Sequence, residues 1–195
     1  MGDWEKKRGI MHQYDRSAAA YDGQYAGDQR AEMEAALRHL SHGEDSVVLD
    51  LGCGTGLLFE HLGGSVGLLV GLDISRGILR EAKKRVKRFP RVHLVRGDAD
   101  FTPFAHGVFD GVFAVTLLQN MPNPASTLHE MKRVGKRDSV AVVTGLKKEF
   151  SLGAFVRLLK EAGLKASILE AGGQLKGYVA VCRRVDEPSP GGPNR

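Results

Sequence analysis

At 195 residues, with 42% hydrophobic and 26% charged residues, the chain has the size and composition of one globular domain, which excludes general disorder. Two cysteines, Cys53 and Cys182, are too few for a disulfide scaffold, and their spacing matches no zinc site. The net charge of +5 and pI near 9.3 invite a nucleic-acid reading, while the charged start and the lack of a long apolar run predict a soluble, cytoplasmic protein without membrane contact.

Residues 1–42 read as an N-terminal helical segment. Helix formers with apolar positions near helical spacing predict a helix over 28–40, packed on the sheet, and two Tyr-Asp pairs, Tyr14-Asp15 and Tyr21-Asp22, precede it. Val47, Val48 and Leu49 then form a short apolar run with β-branched members, which suits a strand buried on both faces of a parallel sheet. Asp50, Gly52, Gly54 and Gly56 come next, and residues 57–62 read as a helix. The glycines therefore stand at the carboxyl end of a strand, where open α/β sheets bind ligands against bare backbone.

Two ligand classes compete for that loop. A dinucleotide turn wants G-x-G-x-x-G, yet the third position is Leu57 counted from Gly52 and Phe59 counted from Gly54. Asp50 also opposes a pyrophosphate, because it would add like charge. A carboxylate suits a cationic ligand instead. The stretch Val-Val-Leu-Asp-Leu-Gly-Cys-Gly-Thr-Gly ending at Gly56 closely resembles the first motif of the class I S-adenosylmethionine (SAM)-dependent methyltransferases. The resemblance implies that Asp50, Gly52, Gly54 and Gly56 hold the amino-acid end of SAM.

A second buried-strand pattern over 68–73 ends in Asp73, followed by Ile74 and an N-cap at Ser75. An acid at this place can accept both ribose hydroxyls, and the resemblance gives Asp73, with Ile74 beside it, that role. A third strand over 92–96 leads into Gly97-Asp98-Ala99, the pattern that in the family recognises adenine through a carboxylate and the next backbone N–H, here Asp98 and Ala99. A fourth strand is predicted over 109–115. By resemblance, Thr116 and the residues through Pro122 face the methyl group and its acceptor.

Helices are predicted over 124–134 and 150–163, and strands over 139–145, 164–170 and 176–182, the last two joined around Gly172-Gly173. The resemblance implies an α/β fold: a doubly wound, seven-stranded, mostly parallel sheet with an antiparallel last strand and helices on both faces. One domain spans 1–185, and the Pro/Gly-rich residues 186–195 read as a disordered tail. Aromatics ahead of the first motif close over SAM or substrate in many small methyltransferases. That makes Tyr14 and Tyr21 lid candidates, with simple helix packing as the alternative.

Placement decides what the cations mean. Lys83, Lys84, Arg85, Lys87, Arg88 and Arg91 fall late in the helix after the second strand, and Lys132, Arg133, Lys136 and Arg137 at or after the end of the helix over 124–134; both runs lie away from the ligand edge and read as solvated faces or helix-end charges. Lys147, Lys148 and Lys176 lie on the ligand side, and Lys6, Lys7, Arg8, Arg16 and Arg30 join them if the N-terminal segment folds over the site. This basic rim suits RNA or a small acidic substrate.

Methyl transfer from a sulfonium is largely in-line placement and desolvation, so few catalytic groups are needed. Where many amino-methylating nucleic-acid enzymes carry Asn/Asp-Pro-Pro-aromatic, this chain has Gln119-Asn120-Met121-Pro122, whose amides can supply acceptor oxygens. No cysteine lies in the segments directly after the fourth and fifth strands, and Cys182 is expected to point away from the site, which disfavours a carbon adduct; no acidic cluster suggests a metal. The expectation is methylation of an RNA base nitrogen with Gln119, Asn120 and Tyr21 nearest the reacting atom. A small-molecule or protein methyltransferase is the alternative, and a silent SAM-binding subunit a third reading. An activator protein or a second copy of the chain stands as a candidate partner.

Overall fold

The computed structural model describes residues 2–39, 43–169 and 175–185, the side chains of residues 19, 21, 24 and 25 excepted. Its strands are β1 (Val47–Leu51), β2 (Leu68–Asp73), β3 (Val92–Arg96), β4 (Phe109–Ala114), β5 (Gly135–Leu146), β6 (Leu164–Leu169) and β7 (Gly177–Arg184). They form one sheet in the order β3-β2-β1-β4-β5-β7-β6. β7 is antiparallel to both its neighbours, and the other pairings are parallel.

Alternation along β1 explains the layering. Val48 joins the core formed with the helices α2 (Tyr21–Leu37), α3 (Phe59–Leu62) and α4 (Arg76–Val86), while Leu49 and Leu51 join the opposite core with α5 (Pro124–Val134) and α6 (Leu152–Glu161). Both faces are covered, so β1 opens with consecutive apolar residues, Val47 to Leu49, ahead of Asp50. Asp50 lies opposite Gly71 on β2 and Phe113 on β4. Gly71 is small for a reason, because a Cβ there would sit 2.6 Å from the Phe59 ring and 3.0 Å from the Cys53 sulfur. Because β1 has β2 on one side and β4 on the other, the crossovers diverge and leave a crevice at their carboxyl ends.

Some boundaries differ from expectation. The helix expected over 57–62 is only Phe59–Leu62, since the glycine loop first spends Leu57 and Leu58 on tight turns, with Gly56 N–H bonded to the Cys53 carbonyl. The Tyr-Asp segment is itself helical: α1 (Asp3–Ser17) passes through a 3₁₀ turn at Ala18–Ala20 into α2, which starts seven residues ahead of the expected 28. Gly23 and Gly27 weaken the local helical signal there, and packing overrides it. Residues 170–174 around the expected hairpin turn and the expected tail at 186–195 lie outside the described residues.

The cation run on α4 is corrected in part. Lys84 is solvated and paired with Glu81, but Arg85 is only 17% exposed and bonds Asp22 at 2.6 Å, Glu60 at 3.1 Å and the Thr55 carbonyl at 3.0 Å. The folding of α2 over α4 brings Asp22 within reach, so Arg85 ties four segments together. Arg133 likewise bonds Glu130 and the Phe104 carbonyl. Among the described residues no helix is long and apolar enough to cross a membrane.

Candidate active site

After β1 the chain turns through positive φ at Gly52 (+72°), Gly54 (+56°) and Gly56 (+83°). The Gly52 and Cys53 amides both donate to the Leu72 carbonyl, at 2.8 and 2.9 Å, and the Gly54 amide donates to Asp73 Oδ2 at 3.1 Å. The loop is thus clamped to the end of β2. A Cβ at Gly52 would meet Leu117 at 2.7 Å, so the missing side chain is what lets the segment after β4 close on the loop.

A cleft enclosing about 840 Å³, its open mouth included, lies at these strand ends. Tyr14, Asp50, Gly52, Gly54, Asp73, Ile74, Asp98, Ala99 and Thr116 line it, so nearly all the expected cofactor residues converge on one space. Gly56 does not. A side chain there would run into the Phe59 ring, which makes Gly56 a packing residue in this structure.

Three carboxylates line the cleft, Asp50 buried and Asp73 and Asp98 half-buried. Asp50 is 2% exposed and its Oδ2 has no hydrogen-bond partner; burial, reinforced by the charge of Asp73, raises its pKa to about 8. Burial also raises Asp73, against hydrogen bonds from the Ser75, Gly54 and Ile74 amides that favour its charged form. Ser75 in turn caps α4, accepting the Ile78 amide at 3.1 Å. Burial pushes the Cys53 thiol well above the ordinary range and Cys182 up to about 12, so neither is a ready nucleophile.

Thr116 is the one described non-glycine residue with positive φ, at +56°. Its amide donates to Thr144 Oγ1 at 2.8 Å, and its carbonyl accepts Gln119 Nε2 at 2.6 Å and Asn120 Nδ2 at 3.2 Å. Asn120 lines the cleft and also donates to the Tyr14 hydroxyl at 3.0 Å, which joins the expected lid to the expected acceptor segment. Gln119 is turned off the cleft, with Oε1 buried and unpartnered. Tyr21 opens α2, and its side chain lies outside the described residues.

Two residues escaped the sequence reading of the site. Glu32, on α2, is 2% exposed and bonds Thr116 Oγ1 at 3.4 Å; burial raises its pKa, against hydrogen bonds from Thr144, Thr116 and the Gly177 amide. A charged residue on a helix carries no sequence signal for such a place. Lys7, expected only as a rim cation, lines the cleft and pairs with Asp98 and Asp100. The other rim cations stand apart from the cleft: Lys176 pairs with Asp28 at 2.7 Å, Lys147 lies 5.7 Å from the Tyr178 ring, Lys148 is exposed beside Glu149, and Arg30 pairs with Glu60.

Residues 49–143 match the family model described as a methyltransferase domain. The demethylmenaquinone methyltransferase of Lysinibacillus sphaericus is 34% identical over 110 residues, 54% of this chain and 47% of that protein. The chain spans about half the length of the curated relatives it matches. Among solved structures, the 1,6-didemethyltoxoflavin-N1-methyltransferase of Burkholderia thailandensis, with bound 1,6-didemethyltoxoflavin and S-adenosylhomocysteine, aligns at TM-score 0.78 and 17% identity over 95% of this chain and 92% of that one. A chain from the complex of the Haloferax volcanii Trm112 methyltransferase activator with a methyltransferase aligns at TM-score 0.76 and 18% identity, covering 88% and 97%. At these identities the two structures speak for the fold alone. The family match runs from the middle of β1 into β5 across every loop that lines the cleft, so residues 49–143 form a methyltransferase domain.

Proposed function

We propose that this protein binds S-adenosylmethionine in the cleft and transfers its methyl group to a small-molecule acceptor held beside residues 116–121. The observation that carries the cofactor is Asp50 Oδ2, a carboxylate oxygen buried without a partner. A bare buried carboxylate is costly, and a ligand ammonium removes that cost whereas a phosphate adds to it. Asp73, anchored at the end of β2, has lone pairs left for two ribose hydroxyls, and Asp98 with the Ala99 amide suits an adenine edge.

When bound, SAM supplies an electrophilic methyl group on a sulfonium. The protein's part is placement and exclusion of water. Leu117 and Met121 make the wall beside Thr116 apolar, and Asn120, fixed between the Thr116 carbonyl and the Tyr14 hydroxyl, is the polar group there that can orient an acceptor.

Two observations favour a small acceptor over an RNA base nitrogen. Two of the cations expected on the rim are engaged, Lys176 with Asp28 and Lys147 with the Tyr178 ring, while Lys6, Arg8 and Arg16 stay exposed on α1, and α1 lies across the cleft with Lys7, Ile10 and Tyr14 in its lining. The Burkholderia relative in fold acts on 1,6-didemethyltoxoflavin, a precedent for a free-standing acceptor. The RNA reading retains the net charge of +5 in its favour. Incubation with labelled SAM, with metabolite extract and separately with total RNA, tests both. Label in the metabolite fraction is expected. Label in RNA, weakening steeply as salt rises, overturns the choice of acceptor. Failure to bind SAM in calorimetry overturns the whole assignment, and binding without turnover on either pool points to a partner subunit, as in the Haloferax activator complex.

A further inference from the structure

Lys7 is the one buried side chain among the described residues of α1. Its neighbours Ile10 and Tyr14 are half-buried against the cleft, and the rest of the helix is largely exposed. A fifteen-residue helix that buries a lysine rather than an apolar stripe is held down by polar contacts. Those contacts differ at its two ends.

At the carboxyl end, Asp15 Oδ1 accepts from Ser75 Oγ at 2.6 Å and from the Gly77 amide at 2.7 Å. The backbones touch there: a Cβ at Gly77 would lie 2.8 Å from the Asp15 Cα and 2.9 Å from its carbonyl oxygen. At the amino end the grip is one ammonium. Lys7 Nζ lies 2.7 and 2.8 Å from the two oxygens of Asp98 and 2.5 Å from Asp100 Oδ2. Burial lowers the Lys7 pKa, but hydrogen bonds and charge from Asp100 and Asp98 outweigh it, so the ammonium stays charged. Asp98 Oδ1 also takes the Asp100 amide at 3.0 Å, and Asp100 Oδ1 takes the Thr127 hydroxyl at 2.5 Å, which fixes both acids.

Lys7 therefore covers the carboxylate oxygens that the proposed function gives to the adenine amine. We infer that Lys7 is a latch: it holds α1 shut over the adenine end of the cleft, gives up Asp98 when the cofactor enters, and closes again on Asp100, the helix pivoting at the Asp15–Gly77 contact. The inference rests on the assignment of Asp98 to adenine. It makes the second acid functional, since Asp100 gives the ammonium a partner when Asp98 is taken.

The latch can be read without any ligand. In the full chain, Lys7→Met is expected to speed amide hydrogen exchange in residues 3–10 by about tenfold or more while leaving α4 to α6 unchanged. In stopped-flow binding of S-adenosylhomocysteine, the same variant is expected to raise the association rate several-fold. Asp100→Asn keeps the Asp98 pair and is expected to speed dissociation with little change in association. Unchanged exchange over residues 3–10 in Lys7→Met, or slower association, overturns the latch. If the wild type binds neither SAM nor S-adenosylhomocysteine, the proposed function falls and the adenine half of the inference with it, while the exchange result still decides whether Lys7 clamps the helix.

Discussion

The hydroxyl of Thr144 accepts the amide of Thr116 at 2.8 Å, so a residue two places past β4, in a left-handed conformation, is held by the neighbouring strand rather than by its own loop. A β-branched residue at φ +56° is strained, and such strain persists only where surrounding contacts over-determine it. Thr144 hydrogen-bonds Glu32 in turn, linking α2 to the segment after β4 through two buried side chains.

Thr144→Val keeps the shape and removes the acceptor. Leaving the Thr116 amide unpaired is expected to cost about 1–3 kcal/mol, a fall in Tm on the order of several degrees for a chain of this size. Turnover, once an acceptor is in hand, should suffer more than SAM affinity, because Thr116 bounds the methyl end of the cleft. Thermal melting and SAM calorimetry on the same preparation check both halves. Unchanged melting with unchanged turnover would show the contact to be idle.

Asp50 makes binding and stability respond to pH in opposite senses. Its folded pKa of about 8 stands above the ordinary aspartate value of 3.8, so the folded state holds a proton the unfolded chain lacks. The stability this gives is full below about pH 4 and is lost as pH rises toward 8. A cation binds only the ionised form, so SAM affinity is expected to rise between about pH 6 and 8 and proton release to accompany binding. Asp50→Asn should melt higher than the wild type at about pH 8, with the gap narrowing steadily toward about pH 4, and should bind SAM weakly without the acid-side slope. Melting curves and titrations in buffers of different ionisation heat measure both. A pH-independent affinity in the wild type would remove Asp50 from the cation site.

The parts of the site legible in the sequence are those written in local backbone chemistry. Asp50, Gly52, Gly54, Asp73, Asp98 and Ala99 stand at strand ends, where an apolar run gives way to an acid or a glycine, and the structure brings all of them to one cleft. What stayed hidden is carried by polar contacts between residues far apart in sequence. Lys7 meets Asp98 across 91 positions, Asp22 meets Arg85 across 63 and Glu32 meets Thr116 across 84. A charged residue on a helix looks the same whether it faces water or a buried partner, so neither period nor composition separates the two. Gln119 shows the converse: its position after β4 suggested a catalytic amide, but the short 3₁₀ turn at Leu118–Asn120 directs it to the Thr116 carbonyl.

Asp73 tests the ribose end. Because its carboxylate also takes the Gly54 and Ser75 amides, Asp73→Ala loosens the loop as well as the ligand, and Asp73→Asn is the cleaner change. The amide keeps one carbonyl oxygen but loses the charge that strengthens hydrogen bonds to hydroxyls. A loss on the order of ten- to a hundredfold in affinity for S-adenosylhomocysteine is expected, in line with about 1.5–3 kcal/mol for hydrogen bonds to charged groups. The loss should be far smaller for a ligand lacking the ribose hydroxyls. Equal losses for both ligands would mean that Asp73 shapes the loop and does not touch ribose.

Gly52 separates conformation from crowding. Alanine there meets two obstacles: a φ of +72° that side-chain-bearing residues rarely adopt, and Leu117 Cδ1 at 2.7 Å from the new Cβ. The first is built into the backbone, and the second depends on one movable side chain. Gly52→Ala is expected to abolish measurable SAM binding and to lower Tm, because relief at either obstacle shifts the loop that carries the Gly52 and Cys53 amides to the Leu72 carbonyl. Adding Leu117→Ala removes the collision and leaves the dihedral strain. If crowding dominates, the double variant recovers binding; if the dihedral dominates, it stays as weak as Gly52→Ala and loses further stability to the cavity left by Leu117. The second outcome is expected, since an alkyl side chain can rotate away whereas the turn itself needs the left-handed conformation to carry β1 into the cleft.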